Sequence, residues 1–472
     1  MGDLIFTFSG IRGISGKELN KELVEKIAFS LGELFKDDDR RVIVGRDTRI
    51  SGLHLEEAVI SGLSLANFEI YNAAVCPTPV LMFIKNKLDI KAGIMITGSH
   101  NPPEWNGLKL IKEENYLNSS ELDIIRKRVN SVDLKSYKNK KIENKIEIIN
   151  PIPEYLQSLY EHLNFKKLKK KNNLKVVIDT GAGAGKLVTP RLLRELGCQV
   201  KSINEDLFVN NVFPRGIEPI AENLHDLIME VWQGKYDIGF AHDCDADRLA
   251  IIGENGECYP EDIGLALIMD FMLQNINTKV KEVFFVTNLA SSLIFDLIAE
   301  KYGAKVIRTP IGEYYLLNQM RDLRENASDS TLIFGGEGSC GGVMYPPFNS
   351  TRDGIFAVAK IVEILVLTGE KISALVSELP KFYSHREIIK IDNNLISPLI
   401  ERMKTELENE GEKVTQINQD LKFGIEKEYF VLIHPSNTEL VIRIISEAKT
   451  QALARIYCQT ARELLSLVIS KM

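Results

Sequence analysis

Short apolar runs rich in β-branched residues alternate with helical stretches along most of the chain. Three such runs, within 41–49, 175–183 and 283–291, each end in a polar loop and are followed by two further strand-like segments. Strands that alternate with helices form parallel βαβ units, which are buried on both faces. The pattern therefore predicts an α/β protein with three similar mixed α/β/α domains.

The third strand-like segment of each unit is the most apolar, and it runs into a polar or glycine-rich loop. These segments are KAGIMITGSH at 91–100, YDIGFAHDCDADR at 236–248 and STLIFGGEGSCGG at 330–342. Ligands of parallel sheets bind beyond the carboxyl ends of the strands. We therefore expect the chemistry of the protein in these three loops.

The C-terminal part of the chain follows a different pattern. Its strand-like segments are HREIIKID, KVTQINQ, EYFVLIHPSNTE and LVIRIISEA, and helical stretches lie near 397–410 and 450–468. This mixture predicts an α+β domain with an antiparallel sheet. The expected domain boundaries are 1–150, 151–254, 255–372 and 373–472.

Composition and charge exclude several classes of protein. Of the 472 residues, 44% are hydrophobic and 26% are charged, and the formal net charge is −7. Because the chain has no basic field, we expect no nucleic-acid partner. The longest apolar stretches are too short, or too interrupted by charge, to span a bilayer, so we expect no membrane partner.

The cysteines and the N-terminal residues indicate a cytoplasmic protein. Six cysteines are scattered along the chain without a CxxC pair, which is typical of reduced thiols. The segment MGDLIFTFSG has neither the basic nor the apolar region of a secretion signal.

Three aspartates in the HDCDADR loop form a candidate metal site. Asp243, Asp245 and Asp247 occupy alternate positions, so in an extended segment their carboxylates share one side. Without a cation they would repel one another, and hard oxygen ligands in this number suit Mg²⁺. An EF-hand is excluded because Arg248 stands where that loop requires glycine. An aspartyl phosphatase would carry Thr or Val in place of Asp247.

The loop after 92–96 places Ser99 and His100 at the end of a strand. The serine could cap a following helix or belong to an ordinary turn, since Ser, Asn and Pro are favoured in both. A serine hydrolase is not indicated, because the G-x-S-x-G elbow is absent. His100 is a candidate catalytic residue, with loop packing as the alternative, because adjacent side chains tend to diverge.

Two further loops carry groups that could bind a sugar phosphate. Glu337 and Ser339, among glycines, could hydrogen-bond sugar hydroxyls, although a flexible turn explains the same residues. HPSNTE at 434–439, with Arg443 beyond it, resembles an anion cradle of hydroxyls, backbone amides and a guanidinium.

The segment GAGAGK at 181–186 is not a P-loop. Its spacing is one residue short, and Leu187 stands where Ser or Thr is required. We interpret the segment as a tight turn between a strand and a helix.

Taken in order, these loops resemble those of the α-D-phosphohexomutase family, enzymes that interconvert hexose 1-phosphates and 6-phosphates. The matching motifs are SGIRG, VGRDTRISG, TGSHNPPEWNGLKL, DCDADR, GGEGSCGG and PSNTE, and they extend over the full length. The resemblance implies four domains around one cleft, with Mg²⁺ as cofactor and a hexose 1,6-bisphosphate as activator. It also implies a small phosphosugar as substrate, and the expected assembly is a monomer or a homodimer.

The resemblance implies a role for each matching residue. Ser99 would carry the phosphoryl group, Lys109 and Arg12 would lie beside it, and the phosphoserine would complete the shell of the metal. The other implied metal ligands are Asp243, Asp245 and Asp247. The implied substrate contacts are Arg248, Glu337, Ser339, His434, Ser436, Asn437, Thr438 and Arg443.

Some positions depart from the family pattern. Gly98 stands where many members have alanine, and Gly341 stands where the common sugar loop has histidine. His434 replaces the arginine that usually opens the phosphate loop. Glu313 resembles the phosphoglucosamine and archaeal branches of the family, so glucosamine phosphate is the expected sugar, with mannose and glucose phosphates as alternatives.

Two other classes of function fit parts of the sequence. A phosphatase could use the aspartate loop, and it would release inorganic phosphate without isomerisation. A catalytically inactive sugar-phosphate binder would bind without turnover. The serine, the lysine and the three aspartates together favour the mutase.

Overall fold

The computed structural model describes residues 4–35, 39–138, 145–436 and 440–471. The chain divides into two compact units. The first comprises Met1–Ile268 with Cys340–Val376, and the second comprises Met269–Ser339 with Ser377–Met472. Two predicted site residues, Asn437 and Thr438, lie outside the described residues.

The first region of the chain forms an eight-stranded sheet with flanking helices. Its strands are β1 Ile5–Thr7, β2 Gly10–Ile14, β3 Arg41–Arg46, β4 Glu69–Val75, β5 Ala92–Ile96, β6 Trp105–Lys112, β7 Asn115–Tyr116 and β8 Ile146–Ile148. Its helices are α1 Lys21–Leu31, α2 Ser51–Leu65, α3 Thr78–Lys87, α4 Ser119–Ser131 and α5 Lys135–Lys138. The order is β1-β2-β6-β5-β3-β4-β8, with β7 on β6. Every residue of β5 is buried, as its uninterrupted apolar sequence predicts.

The second region forms a five-stranded sheet in the order β10-β9-β11-β12-β13. Its strands are β9 Lys175–Asp179, β10 Gln199–Ile203, β11 Ile238–Ala241, β12 Ala250–Gly253 and β13 Cys258–Tyr259. Its helices are α6 Ile152–Glu161, α7 Phe165–Lys171, α8 Thr189–Glu195, α9 His225–Gly234 and α10 Glu261–Gln274. The aspartate loop connects β11 to its antiparallel neighbour β12.

The third region contains a parallel part and an antiparallel hairpin. The parallel part has strands β14 Glu282–Asn288, β15 Lys305–Thr309 and β16 Thr331–Gly335, with helices α11 Ile294–Tyr302 and α12 Glu313–Glu325. The hairpin has strands β17 Val343–Tyr345 and β18 Asn349–Asp353, and it precedes helices α13 Gly354–Thr368 and α14 Ile372–Glu378. Asp353 caps α13 by accepting the Phe356 N–H.

The fourth region is an antiparallel sheet in the order β19-β23-β22-β21-β20. Its strands are β19 Tyr383–Lys390, β20 Thr415–Ile417, β21 Asp420–Ile425, β22 Tyr429–Pro435 and β23 Val441–Ala448. Its helices are α15 Asn393–Asn409 and α16 Gln451–Ser470. A separate apolar core unites the two helices with the sheet.

The threefold pattern predicted from the sequence is confirmed. In each of the first three regions the first strand of the unit pairs in parallel with both the second and the third, as β3, β9 and β14 do. The C-terminal antiparallel sheet is confirmed too, but it contains a strand, β21, that the hydrophobic pattern did not predict. Among the described residues, no helix combines the length and the apolar character that crossing a bilayer requires. All six cysteines are free thiols.

Candidate active site

Ser99 lies just beyond the buried strand β5 in a left-handed backbone conformation. Its φ is 48°, a region that residues other than glycine rarely adopt. Its N–H donates to Thr97 Oγ1 at 2.8 Å, and its hydroxyl donates to Asp243 Oδ2 at 3.1 Å. The next element is strand β6, so the interpretation of Ser99 as a helix cap is wrong. A buried hydroxyl held in a strained backbone is typical of a functional site.

The guanidinium of Arg49 holds the loop that carries Ser99. Arg49 is 1% exposed, and its Nε donates to Asp47 Oδ2 at 3.1 Å. Because β3 is parallel to β5, the loops that follow these strands lie side by side. Arg49 donates to four carbonyl oxygens of the serine loop, those of Ser99 at 2.8 Å, Asn101 at 2.7 Å, Pro102 at 2.7 Å and Trp105 at 3.1 Å.

Gly98 leaves the space that Arg49 fills. A Cβ atom at this position would lie 2.7 Å from Arg49 Cζ, which is closer than a side chain tolerates. Alanine at this position would displace the Arg49 guanidinium, so glycine here is not a neutral replacement for alanine.

The three predicted aspartates converge after β11. One carboxylate oxygen from each of Asp243, Asp245 and Asp247 lies within 4.8 Å of the others, and all three residues are buried. Asp245 Oδ1 and Asp247 Oδ1 have no hydrogen-bond partner among the described residues. Buried oxygens without donors are costly. This donor set fits a hard divalent cation such as Mg²⁺.

Positive side chains contact the same carboxylates. Lys109 Nζ lies 2.7 Å from Asp245 Oδ2 and 3.0 Å from Asp247 Oδ2. The β5–β6 ladder places this lysine opposite Met95, next to the serine loop. Arg352 at the end of β18 donates to Asp247 Oδ2 at 2.8 Å, and it was not among the residues predicted from the sequence.

The carboxylates differ in their affinity for protons. Burial, and then the charges of Asp245 and Asp247, raise the pKa of Asp243 well above its ordinary value. Burial would also raise the pKa of Asp247, but Arg352, Lys109 and then Arg248 outweigh it and hold this pKa far below its ordinary value. Neighbouring charges of opposite sign explain the difference.

His100 packs beside Ser99 as a neutral imidazole. Burial, and then the charges of Arg248 and Arg12, lower the pKa of His100 to about 2. Arg248 Nη2 lies 2.9 Å from His100 Nδ1, whereas Ser99 Oγ lies 3.5 Å from the same nitrogen. Because a guanidinium only donates, Nδ1 serves Arg248 as an acceptor. The geometry favours a positioning role for His100 rather than that of a base acting on Ser99.

Arg12 and Arg248 complete the group of predicted residues in the first unit. Arg12, on β2, donates to Asn101 Oδ1 of the serine loop at 2.8 Å. Arg248 also donates to Glu218 Oε1 at 2.8 Å. The first unit therefore brings together Ser99, His100, Lys109, Arg12, Arg248 and the three aspartates.

The other predicted residues belong to the second unit. Glu337 follows β16, and its Oε1 accepts from Asn288 Nδ2 at 3.0 Å and from the Gly312 N–H at 2.9 Å. Ser339 lies in the same loop. His434 and Arg443 face each other across β22 and β23, and Ser436 directly follows β22.

Comparisons with known proteins agree with this arrangement. Family models for the α/β/α domains I, II and III of phosphoglucomutase/phosphomannomutase match residues 3–136, 153–256 and 260–383. A phosphoglucomutase/phosphomannomutase of Thermococcus kodakarensis is 37% identical over 472 residues, covering 98% of this chain and 99% of the relative. The chain belongs to the α-D-phosphohexomutase family.

Two further matches extend the comparison. A Pyrococcus abyssi protein named "Probable phosphoglucosamine mutase" is 33% identical to this phosphohexomutase, over 99% of this chain and 98% of the relative. The crystal structure of a phosphoglucomutase/phosphomannomutase family protein from Burkholderia thailandensis has the same fold. Its TM-score is 0.82 with 23% identity, and the match covers 98% of this chain and 97% of that one.

Sequence reasoning missed three residues that support the site of this phosphohexomutase. These are Arg49, Arg352 and Thr78, whose hydroxyl donates to Asp245 Oδ2 at 2.5 Å. Arg49 lies in the polar loop after β3, so the rule that loops at strand ends carry chemistry could have found it. The same rule applies to Thr78, which follows β4, whereas Arg352 lies within β18 and carries no such signal.

Proposed function

We propose that this phosphohexomutase interconverts hexose 1-phosphates and 6-phosphates through a phosphorylated Ser99 and a bound hexose 1,6-bisphosphate. The observation that carries the proposal is the 3.1 Å contact between Ser99 Oγ and Asp243 Oδ2. This contact joins a buried hydroxyl to one of three converging carboxylates, and Lys109 contacts the other two. A serine in this setting is suited to hold a phosphoryl group.

Asp243, Asp245 and Asp247 would hold Mg²⁺, with an oxygen of the phosphorylated Ser99 as a further ligand. The two buried aspartate oxygens without partners support this assignment. Mg²⁺ bound there would offset the negative charge of the phosphoryl group.

The side chains around Ser99 would orient the transfer. Lys109 would stabilise charge on the transferring phosphoryl group, and Arg12 would reach it from β2, next to Asn101. In the first half-reaction a sugar hydroxyl oxygen bonds to phosphorus while the bond from phosphorus to Ser99 Oγ breaks, and the net effect moves the hydroxyl proton to Ser99 Oγ. In the second half-reaction Ser99 Oγ bonds to the phosphorus at the other end of the sugar while the bond from that phosphorus to the sugar oxygen breaks, and the serine proton passes in net to that sugar oxygen. Catalysis of this kind depends chiefly on positioning and charge.

The resemblance to the family supports further contacts to the sugar and to the phosphate that does not react. Glu337 and Ser339 would bind sugar hydroxyls. His434, Ser436, Asn437, Thr438 and Arg443 would hold the phosphate. Cross-strand pairing of His434 with Arg443 supports this assignment, because it puts two basic side chains at the base of the phosphate loop.

Glucosamine phosphate is the proposed physiological sugar. Glu313 begins α12 and is 7% exposed, and a carboxylate there would suit the ammonium of glucosamine. The test is a mutase assay over glucosamine, mannose, glucose and N-acetylglucosamine phosphates, each primed with the matching 1,6-bisphosphate. The highest kcat/KM should belong to glucosamine phosphate. Release of inorganic phosphate without isomerisation would overturn the mutase route.

A further inference from the structure

A histidine and a carboxylate form a short contact in the C-terminal sheet. His434 Nδ1 lies 2.6 Å from Asp420 Oδ1. Both residues are nearly inaccessible, at 8% and 6% exposure. Burying two titratable groups costs free energy, because each is better solvated in water, so this contact calls for an explanation.

The contact follows from the register of the sheet. Strand β21 begins at Asp420 and pairs antiparallel with β22, so that Leu421 lies opposite Ile433. Asp420 therefore adjoins His434, the penultimate residue of β22. On the other side of His434, strand β23 contributes Arg443 as the cross-strand partner.

The chemistry of the pair fixes the orientation of the imidazole ring. A carboxylate only accepts hydrogen bonds, so Nδ1 carries a proton that it donates to Asp420. The carboxylate thus sets the tautomer and the plane of the ring, and it leaves Nε2 as the nitrogen that can meet a ligand.

We infer that Asp420 is a positioning residue that aims His434 Nε2 at the phosphate of the substrate. The inference rests on the proposed function, which places His434 in the phosphate-binding loop. The histidine–aspartate pair would then supply, from two strands, a ring nitrogen of fixed direction at this end of the substrate. Asp420 itself would not touch the substrate.

The test uses the full-length protein and compares KM with kcat for glucose 1-phosphate. Asp420→Asn keeps the shape of the side chain and removes its charge, so it should raise KM about tenfold while kcat changes less than about threefold. His434→Ala should raise KM at least as much. In the His434→Ala background, Asp420→Asn should have no further effect, because its role runs through the histidine.

Controls separate this inference from the proposed function. Glu387→Gln removes a carboxylate of the same sheet that pairs with Arg462 instead, and it should leave KM unchanged. Circular dichroism should confirm that each variant is folded. If His434→Ala raises KM but Asp420→Asn does not, the positioning role is wrong and the phosphate site stands. If His434→Ala leaves KM unchanged, the phosphate-binding role of His434 is wrong, and the positioning role is overturned with it.

Should Asp420→Asn fail to fold, a second variant and a binding measurement test the same inference. Asp420→Glu keeps the charge and displaces the carboxylate by one methylene group. Titration calorimetry with inorganic phosphate should then show affinity reduced about tenfold in Asp420→Glu. Equal affinity in the wild type and in Asp420→Glu would overturn the positioning role.

Discussion

Ser99 Oγ lies 3.1 Å from Asp243 Oδ2, although 144 positions separate the two residues in the chain. Strands β5 and β11, which belong to two different sheets, each end just before one of these residues. A phosphoryl group on Ser99 would therefore stand directly against carboxylates of the aspartate loop. Like charges at this distance need a cation between them.

The first prediction concerns that cation. Asp245→Asn should lower Mg²⁺ affinity at least about tenfold, because one of three converging anionic ligands becomes neutral. Calorimetric titration with Mg²⁺ measures this without reference to turnover. Asp206→Asn, which changes an exposed acid of the same region, is the matched control. Unchanged Mg²⁺ affinity in Asp245→Asn would show that the aspartates do not bind the metal.

The second prediction concerns the support of the serine loop. Arg49→Lys replaces a planar fork that reaches four carbonyl oxygens by a single ammonium group, so most of these hydrogen bonds are lost. Mutase activity should fall about a hundredfold, and unfolding free energy should fall by about 2 kcal/mol. The half-exposed Arg126, changed to Lys, is the control. Near-normal activity in Arg49→Lys would mean that the loop keeps its shape without the guanidinium.

The third prediction concerns pH and the buried cap of α13. Burial raises the pKa of Asp353 from 3.8 to about 6, although Asn349 and Tyr155 donate to it. Because the folded protein binds the Asp353 proton more tightly than the unfolded chain does, this proton stabilises the fold. Its contribution to the unfolding free energy is complete below about pH 4 and is lost as pH rises through about 6. Asp353→Asn cannot lose this proton. The unfolding free energy of the variant minus that of the wild type should therefore increase by about 2 kcal/mol between pH 4 and pH 7.

Urea denaturation at a series of pH values measures this difference directly. Asp123→Asn, at an exposed position on α4, shows the effect of an ordinary change from acid to amide. If the unfolding free energies of the wild type and of Asp353→Asn changed in parallel with pH, the raised pKa of Asp353 would be contradicted.

The fourth prediction concerns the choice of sugar. Glu313→Gln should lower kcat/KM for glucosamine phosphate about tenfold and leave the values for glucose and mannose phosphates nearly unchanged, because only the first sugar carries an ammonium group. Coupled assays on the three sugar phosphates give the ratio of kcat/KM in the variant to that in the wild type. An equal loss on all three would indicate that Glu313 supports the loop without reading the amine.

Features that depend on local spacing were predictable from the sequence. The alternate positions of Asp243, Asp245 and Asp247 indicate convergence within one loop, and the structure confirms it. The β-branched runs that became β3, β9 and β14 predict parallel strands in the same way. Both signals arise within a few residues, where geometry follows directly from the backbone.

Features that depend on distant pairing were not predictable. The position of Arg49 after β3 marks it as a candidate, but no local pattern identifies its partners, which are carbonyls about fifty positions away. Asp420 could not be placed beside His434 because β21 itself was missed. The sequence of that strand, DLKFGI, contains Lys and Gly, which weaken the strand signal.

The central claim is that Ser99 carries the phosphoryl group. The most direct test incubates the protein with Mg²⁺ and ³²P-labelled glucose 1,6-bisphosphate and then locates the label by peptide mass spectrometry. We expect a single phosphate on the peptide that spans Ser99, none on that peptide in folded Ser99→Ala, and a loss of mutase activity in that variant of about a thousandfold or more. Ser120→Ala, at an exposed position, should label and turn over normally. Label on another residue, or turnover of Ser99→Ala within about tenfold of the wild type, would contradict the claim.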